Sequence, residues 1–184
     1  MPGREKRAGK KRKRTGKMII DRSRILILSL RGFIIAALVM LLVTACNPDL
    51  VYEQNRRIPG DRWSRYHIPE FEFEITDTIS PHDLMINLRN TGEYPRSNLF
   101  LFISARSPGG AYTRDTLEFV LAEPSGKWKG RGFGSVWQNR FYYRQNIRFP
   151  EPGKYTVEIE QAMRIEELPG ILDVGLRVER KQLN

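Results

Sequence analysis

Phe71-Glu72-Phe73-Glu74-Ile75 is the stretch that decides the fold. Apolar and acidic side chains alternate along it. A period of two puts Phe71, Phe73 and Ile75 on one face of an extended strand and the glutamates on the other. Leu84, Ile86 and Leu88 repeat the pattern against Met85, Asn87 and Arg89. So do Leu117, Phe119 and Leu121, then Tyr155, Val157 and Ile159 against Thr156, Glu158 and Glu160, and finally Val174, Leu176 and Val178. Each reads as a half-buried strand. Leu99 to Ile103 is apolar on both faces, which predicts a strand covered on both sides or one facing a partner. Turn residues punctuate these runs at Ser80-Pro81, Asn90-Thr91-Gly92, Pro108-Gly109-Gly110, Pro124-Ser125-Gly126, Pro150-Glu151-Pro152-Gly153 and Pro169-Gly170. The only helical candidate is Ala162 to Leu168. The expected fold is therefore all-β, an antiparallel β-sandwich, Ig-like or jelly-roll, over residues 70–184.

The chain has 184 residues and a formal net charge of +10, which suggests a nucleic-acid binder. The position of the charge argues against that. Residues 1–45 hold twelve basic side chains and two acidic ones, the whole of the +10. The remainder has 19 of each sign and contains all 3 Trp and all 7 Tyr. A basic leader precedes a neutral, aromatic-rich domain, and no nucleic-acid partner is expected of the latter.

The leader reads as an export signal. Met1 to Lys17 is almost entirely Lys, Arg and Gly; Ile25 to Leu30 and Gly32 to Ala45 are apolar, interrupted by Arg31. The 14 residues Gly32 to Ala45 are short of the ~20 needed to span a bilayer as a helix. Counting from Ile25 gives 21 with one Arg, which leaves an uncleaved transmembrane anchor as the alternative reading. Met18 offers a second start, since Met18-Ile-Ile-Asp-Arg-Ser-Arg is already an adequate charged region. The basic residues then follow the positive-inside rule.

The segment ends in Leu42-Val43-Thr44-Ala45-Cys46, which looks like a bacterial lipobox: the chain's single cysteine stands directly after a small residue. A thiol is the nucleophile that can take a diacylglyceryl group as a thioether, and the small neighbour lets a peptidase cut beside it. Two or three acyl chains on Cys46 give stable anchoring where one is marginal. This divides the chain into a leader and lipoprotein signal peptide (1–45), a lipid-anchored tether (46–69) with one edge strand around Leu50 to Tyr52, and the sandwich. A lone cysteine also excludes a disulfide framework within the chain and any cysteine-cluster metal site.

No chemistry assembles elsewhere. Gly126-Lys127-Trp128-Lys129-Gly130-Arg131-Gly132-Phe133-Gly134 is glycine-rich but lacks the Gly-Lys-Ser/Thr ending of a phosphate loop. It reads first as a hairpin with glycines at positive φ. Its functional version is an exposed Trp128 flanked by Lys127, Lys129 and Arg131, suited to a protein partner or a sugar ring. Trp137 and Tyr142 are further candidate partner or glycan contacts. Glu70, Glu72 and Glu74, like Glu158 and Glu160, are explained by alternation without catalysis. His67 and His82 lack other ligands at metal spacing, so no metal, cofactor or catalytic residue is expected.

Cys46, Phe73-Glu-Ile-Thr-Asp-Thr, Ile86-Asn-Leu-Arg-Asn-Thr, Tyr94-Pro-Arg-Ser-Asn-Leu-Phe-Leu-Phe-Ile, Asp115-Thr-Leu-Glu, Gly126-Lys-Trp, Ile159-Glu-Gln-Ala-Met-Arg and Gly170-Ile-Leu-Asp-Val-Gly-Leu-Arg-Val-Glu together resemble the gliding-motility lipoprotein GldH family of Bacteroidetes. The resemblance is collinear over the whole exported domain. It implies a periplasm-facing, lipid-anchored component of the gliding apparatus, tied to type IX secretion, with other envelope proteins as partners. It carries no catalytic residue. The outer membrane is favoured over the inner, because Asn47 rather than an acid follows Cys46. A glycan-binding lipoprotein of the same fold is the alternative.

Overall fold

The computed structural model describes residues 47–181. The expected leader, signal peptide and lipidation site Cys46 lie outside the described residues. Eleven strands follow in chain order: β1 (Leu50–Arg57), β2 (Arg62–Ser64), β3 (Glu70–Ile75), β4 (His82–Thr91), β5 (Asn98–Arg106), β6 (Tyr112–Val120), β7 (Arg131–Phe133), β8 (Val136–Ile147), β9 (Gly153–Gln161), β10 (Glu167–Pro169) and β11 (Ile171–Arg180). They form a five-stranded sheet of order β1-β11-β4-β8-β7, a four-stranded sheet β3-β9-β5-β6 and the small pair β10-β2, all antiparallel. Setting aside the three-residue strands β2, β7 and β10 leaves eight. In chain order these pair as first-eighth-third-sixth and second-seventh-fourth-fifth, which is the jelly roll.

Alternation built the inner faces. Phe71, Phe73, Ile75, Leu99, Leu101, Ile103, Val157 and Ile159 from one sheet meet Leu84, Ile86, Leu88, Val174, Leu176 and Val178 from the other in one continuous core. Sandwich cores of this kind need no helix, and Ala162 to Leu168 does not form one. The Gln161 side chain holds those residues as a loop, accepting from Met163 N at 2.9 Å and donating to Ile165 O at 2.7 Å. That local bonding competes with a helical turn. The two-sided apolar run in β5 is resolved simply. Leu99, Leu101 and Ile103 enter the core, while on the outer face the Arg114 guanidinium lies 4.5 Å over the Phe102 ring.

Two expectations need correction. The tether is folded from residue 50 onward. β1 runs eight residues along β11, Ile58 and Trp63 are wholly buried, and the Trp63 indole donates to His67 O at 2.8 Å. The edge strand expected around Leu50 to Tyr52 thus continues to Arg57, its polar residues being held in an ion-pair network through Glu53. β4 and β11, expected to be half-buried, are covered on both faces: Met85, Asn87, Asp173 and Arg177 are buried on the outer face as well. Flanking strands supply the cover. Glu53 on β1 binds Arg177 and, at 2.8 Å, both Arg140 and Asn87; Arg177 also binds Glu179, and Arg89 reaches Asp173 at 2.6 Å.

The topology gives the sandwich two distinct ends. At one lie the start of β1, the starts of β4, β6 and β9, and the ends of β3, β5, β8 and β11. At the other lie the start of β8, the short strands and Trp63, Trp128 and Trp137. The twelve residues of β8 separate them by roughly 35 Å at about 3.3 Å per residue.

Candidate functional site

The glycine-rich stretch folds as the hairpin its composition favoured. Glu123 N donates to Lys127 O at 2.8 Å across a turn closed by Gly126 at φ +84. Trp128 bridges Ala122, and Arg131–Phe133 then pairs with Val136–Gln138 through the two-residue loop Gly134-Ser135, Gly134 at φ +64. Gly132 is required by packing, because a Cβ there would sit 2.7 Å from Trp137 Cδ1. A flat glycine strand lets the indole of Trp137 lie beneath β7.

Trp128 is consequently not the exposed platform the sequence suggested. It is half-buried, tilted over Trp137 with ring centroids 5.3 Å apart and 6.4 Å from Tyr94. The ladder Tyr94, Trp128, Trp137 closes this end of the core, since Trp137 shares the inward parity of Asn139 and Phe141. Lys127, Lys129 and Arg131 are exposed and make no ion pair among the described residues. Tyr142 is exposed in mid-strand on the outer face of the five-stranded sheet, apart from this cluster. Its neighbours Phe141 and Tyr143 point inward.

Phe133 was not foreseen. It is 96% exposed at the hairpin tip, and its position in Gly132-Phe133-Gly134 was the available signal. With Arg89, Arg131, Val136 and Gln138 it lines a shallow depression of about 520 Å³. An adjoining cleft of about 620 Å³, sharing Arg131 and Gln138, runs past Lys129 and Arg140 to Val120. No carboxylate lines either one. Arg89 and Arg140 are held by Asp173 and Glu53, and the hydrogen bond that Arg89 donates to Asp173 raises the Arg89 pKa. The result is a fixed cationic surface with an apolar tip.

Another polar group lies between β6 and β8. Tyr143 Oη donates to Asp115 Oδ2 at 2.7 Å, and Arg144 Nη2 reaches the same oxygen at 2.6 Å. Burial and then the hydrogen bond to Asp115 push the Tyr143 hydroxyl up to about 12. Burial opposes ionisation of Asp115, but the bonds from Tyr143 and Arg144 prevail and its pKa falls. A tyrosine held protonated against a held carboxylate joins β6 to β8; it offers neither a base near neutrality nor an activated nucleophile. Among the described residues, no three His, Cys, Asp or Glu side chains come together as metal ligands.

Residues 50–178, nearly the whole of this sandwich, match the family model described as GldH lipoprotein. A protein of Christiangramia forsetii named gliding motility lipoprotein GldH homolog is 39% identical over 148 residues, 77% of this chain and 90% of that one. The gliding motility lipoprotein GldH of Flavobacterium johnsoniae is 34% identical over 154 residues, 80% of this chain and 95% of that one. Among solved structures, CBM35 from Cellvibrio japonicus Abf62 matches at 14% identity and TM-score 0.27, covering 76% of this chain and 96% of that one, a likeness too slight to carry an argument.

Proposed function

The chain belongs to the GldH lipoprotein family, and from that premise we propose that it is a non-enzymatic, lipid-anchored envelope component of the gliding-motility machinery, linked to type IX secretion, that works by docking other envelope proteins. Cys46 is the lipidated residue, the domain faces the periplasm, and the outer membrane is the favoured location.

One observation carries the docking reading. The exposed Phe133 and Lys127, Lys129 and Arg131, which make no ion pair among the described residues, gather at the end of the sandwich opposite the one where Asn47, next to Cys46, enters it. An anchor at one end and an apolar, cationic surface roughly 35 Å away at about 3.3 Å per residue of β8 suit a protein held on a membrane while its far end engages a partner. Exposed aromatics ringed by arginine are typical interface anchors. With no carboxylate in the cleft, an acidic partner surface fits best.

The test is mild crosslinking and pull-down from cells carrying Phe133→Asp with Arg131→Glu, beside the unchanged protein. Loss of a crosslinked envelope partner, with lipidation and thermal unfolding unchanged, supports docking at this end. An identical crosslinked set refutes it, as does wild-type gliding and secretion in a deletion strain. A Cys46→Ala protein that still incorporated labelled palmitate would refute the anchor.

A further inference from the structure

The proposed lipid on Cys46 raises the question of how far the domain stands from the membrane. The sequence expected 24 residues of tether, 46–69. The structure leaves almost none: Asn47 O accepts from Leu50 N at 3.2 Å, Asn47 Nδ2 donates to Glu179 at 3.3 Å, and Arg180 N donates to Asp49 O at 2.8 Å. The residue one peptide bond beyond Cys46 is thus already bonded to the last strand. Successive Cα atoms are about 3.8 Å apart, so acyl chains on Cys46 would hold this end of the sandwich at the lipid surface itself.

The end is built for such a neighbour. Ile79 is 76% exposed at the tip of the β3–β4 loop, and Leu50 and Val51 are exposed at the start of β1. The loop is fixed rather than loose. The Asp77 carboxylate accepts from Ile79 N and Ser80 N, both at 2.9 Å, and its pKa is lowered to about 2 by bonds from Ser80 and Ile79. Lys181 N donates to Pro81 O at 2.7 Å, tying the loop to the chain beside Asn47. The exposed Arg148 guanidinium donates through Nε to Ile79 O at 2.9 Å, and that of Arg106 lies 5.5 Å from the Tyr112 ring; neither makes an ion pair among the described residues. Between the sheets at this end opens a cleft of about 290 Å³, lined by Phe73, Ile147, Phe149 and Tyr155, with Arg106 and Arg148 also on its walls. Of the carboxylates lining the loops at this end, Asp83 is engaged by Lys181, Asp77 by Arg180 at 4.0 Å, and Glu151 by Ser107 and Gly109. An apolar tip, an apolar cleft and two guanidiniums without counter-ions are the groups that the interfacial layer of a bilayer accommodates, apolar atoms toward the acyl chains and arginine toward phosphate.

We infer that this end lies directly against the bilayer holding the Cys46 lipid, with Ile79, Leu50 and Val51 entering the interface and Arg106 and Arg148 meeting phospholipid phosphates. The inference rests on the lipidation reading above. Membrane contact fixes the orientation of the domain, so the cationic hairpin end points away from the surface rather than sweeping over it.

The test uses the intact lipidated protein in vesicles of phosphatidylethanolamine and phosphatidylglycerol brominated close to the glycerol. All three native tryptophans lie at the far end. Native fluorescence should be unquenched, and Ile79→Trp should add an indole that brominated lipid quenches. Arg106→Gln with Arg148→Gln in that background should reduce the quenching at least twofold. Palmitate labelling of the same sample separates the two readings. An unlabelled chain refutes lipidation, whereas a labelled chain whose added indole is unquenched, or whose native tryptophans are quenched as strongly, overturns the orientation.

Discussion

Trp63→Ala tests whether the segment after the anchor belongs to the sandwich. Trp63 is wholly buried, pairs across β2–β10 with Leu168 and donates its indole N–H to His67 O at 2.8 Å. Truncating a buried tryptophan costs about 3–5 kcal/mol through lost transfer energy and the cavity left behind. The hydrogen bond adds little to that, because His67 is exposed and its carbonyl regains water. Against a total stability of about 5–15 kcal/mol, the loss is a large fraction of the whole. With a urea m-value of about 2 kcal/mol/M, the midpoint should fall by about 2 M, read by circular dichroism on the chain from Asn47 onward. Trp63→Phe, which keeps most of the packing, should lose roughly a third as much. Tyr66→Ala, at an exposed ring three residues along, should change stability by less than about 0.5 kcal/mol. A loss below about 1 kcal/mol for Trp63→Ala would mean that residues 58–64 are tether after all and no part of the sandwich core.

Two further outcomes follow, one from a buried histidine and one from a close backbone approach. His82 is buried against Phe149 with Nδ1 unbonded, and burial lowers its pKa, outweighing the opposing help of the Ser80 hydrogen bond and Asp77. Its folded pKa lies below the unfolded value, so its contribution is neutral above about pH 6.5 and stability falls as pH drops through that value; His82→Leu should remove this part of the slope in pH-dependent urea titrations. Gly175→Ala would drive a Cβ into the Asn55 side chain and to 2.6 Å from Gln54 O on the paired edge strand. Amide hydrogen exchange should rise along β1 while β4–β8 amides stay protected, at a cost of about 1–3 kcal/mol; equal protection in both would refute the close approach.

Much of the sandwich is legible in short windows of sequence. Phe71 to Ile75, Tyr155 to Ile159 and Val174 to Val178 face the core as their alternation required, because side-chain direction in a strand is set by the residue's own parity. The hairpin at Gly126 to Gly134 was equally legible, since positive φ is a local demand. What alternation cannot report is what lies on the far side of a strand. Asn87, Asp173 and Arg177 read as solvent-facing and are buried, because Glu53, Arg140 and Arg89 reach over them from strands distant in sequence. Trp128 read as an exposed platform and instead packs on Trp137, a contact that depends on two strands meeting. Phe133 escaped notice because a lone aromatic between glycines carries no period.

The sequence by itself determined the all-β class, the inward faces of the long strands, the separation of a basic leader from a neutral domain and the single cysteine at their junction. These are properties of composition and of near neighbours along the chain. Only the tertiary structure decided that the strands pair as a jelly roll, that the edge strand expected near Leu50 runs on to Arg57 bonded to the last strand, and that the residue after Cys46 and the cationic hairpin occupy opposite ends. Each of these is fixed by hydrogen bonds and packing between segments up to 132 residues apart, as between Asn47 and Glu179. The free energy of such pairings depends on partners that a local pattern does not name.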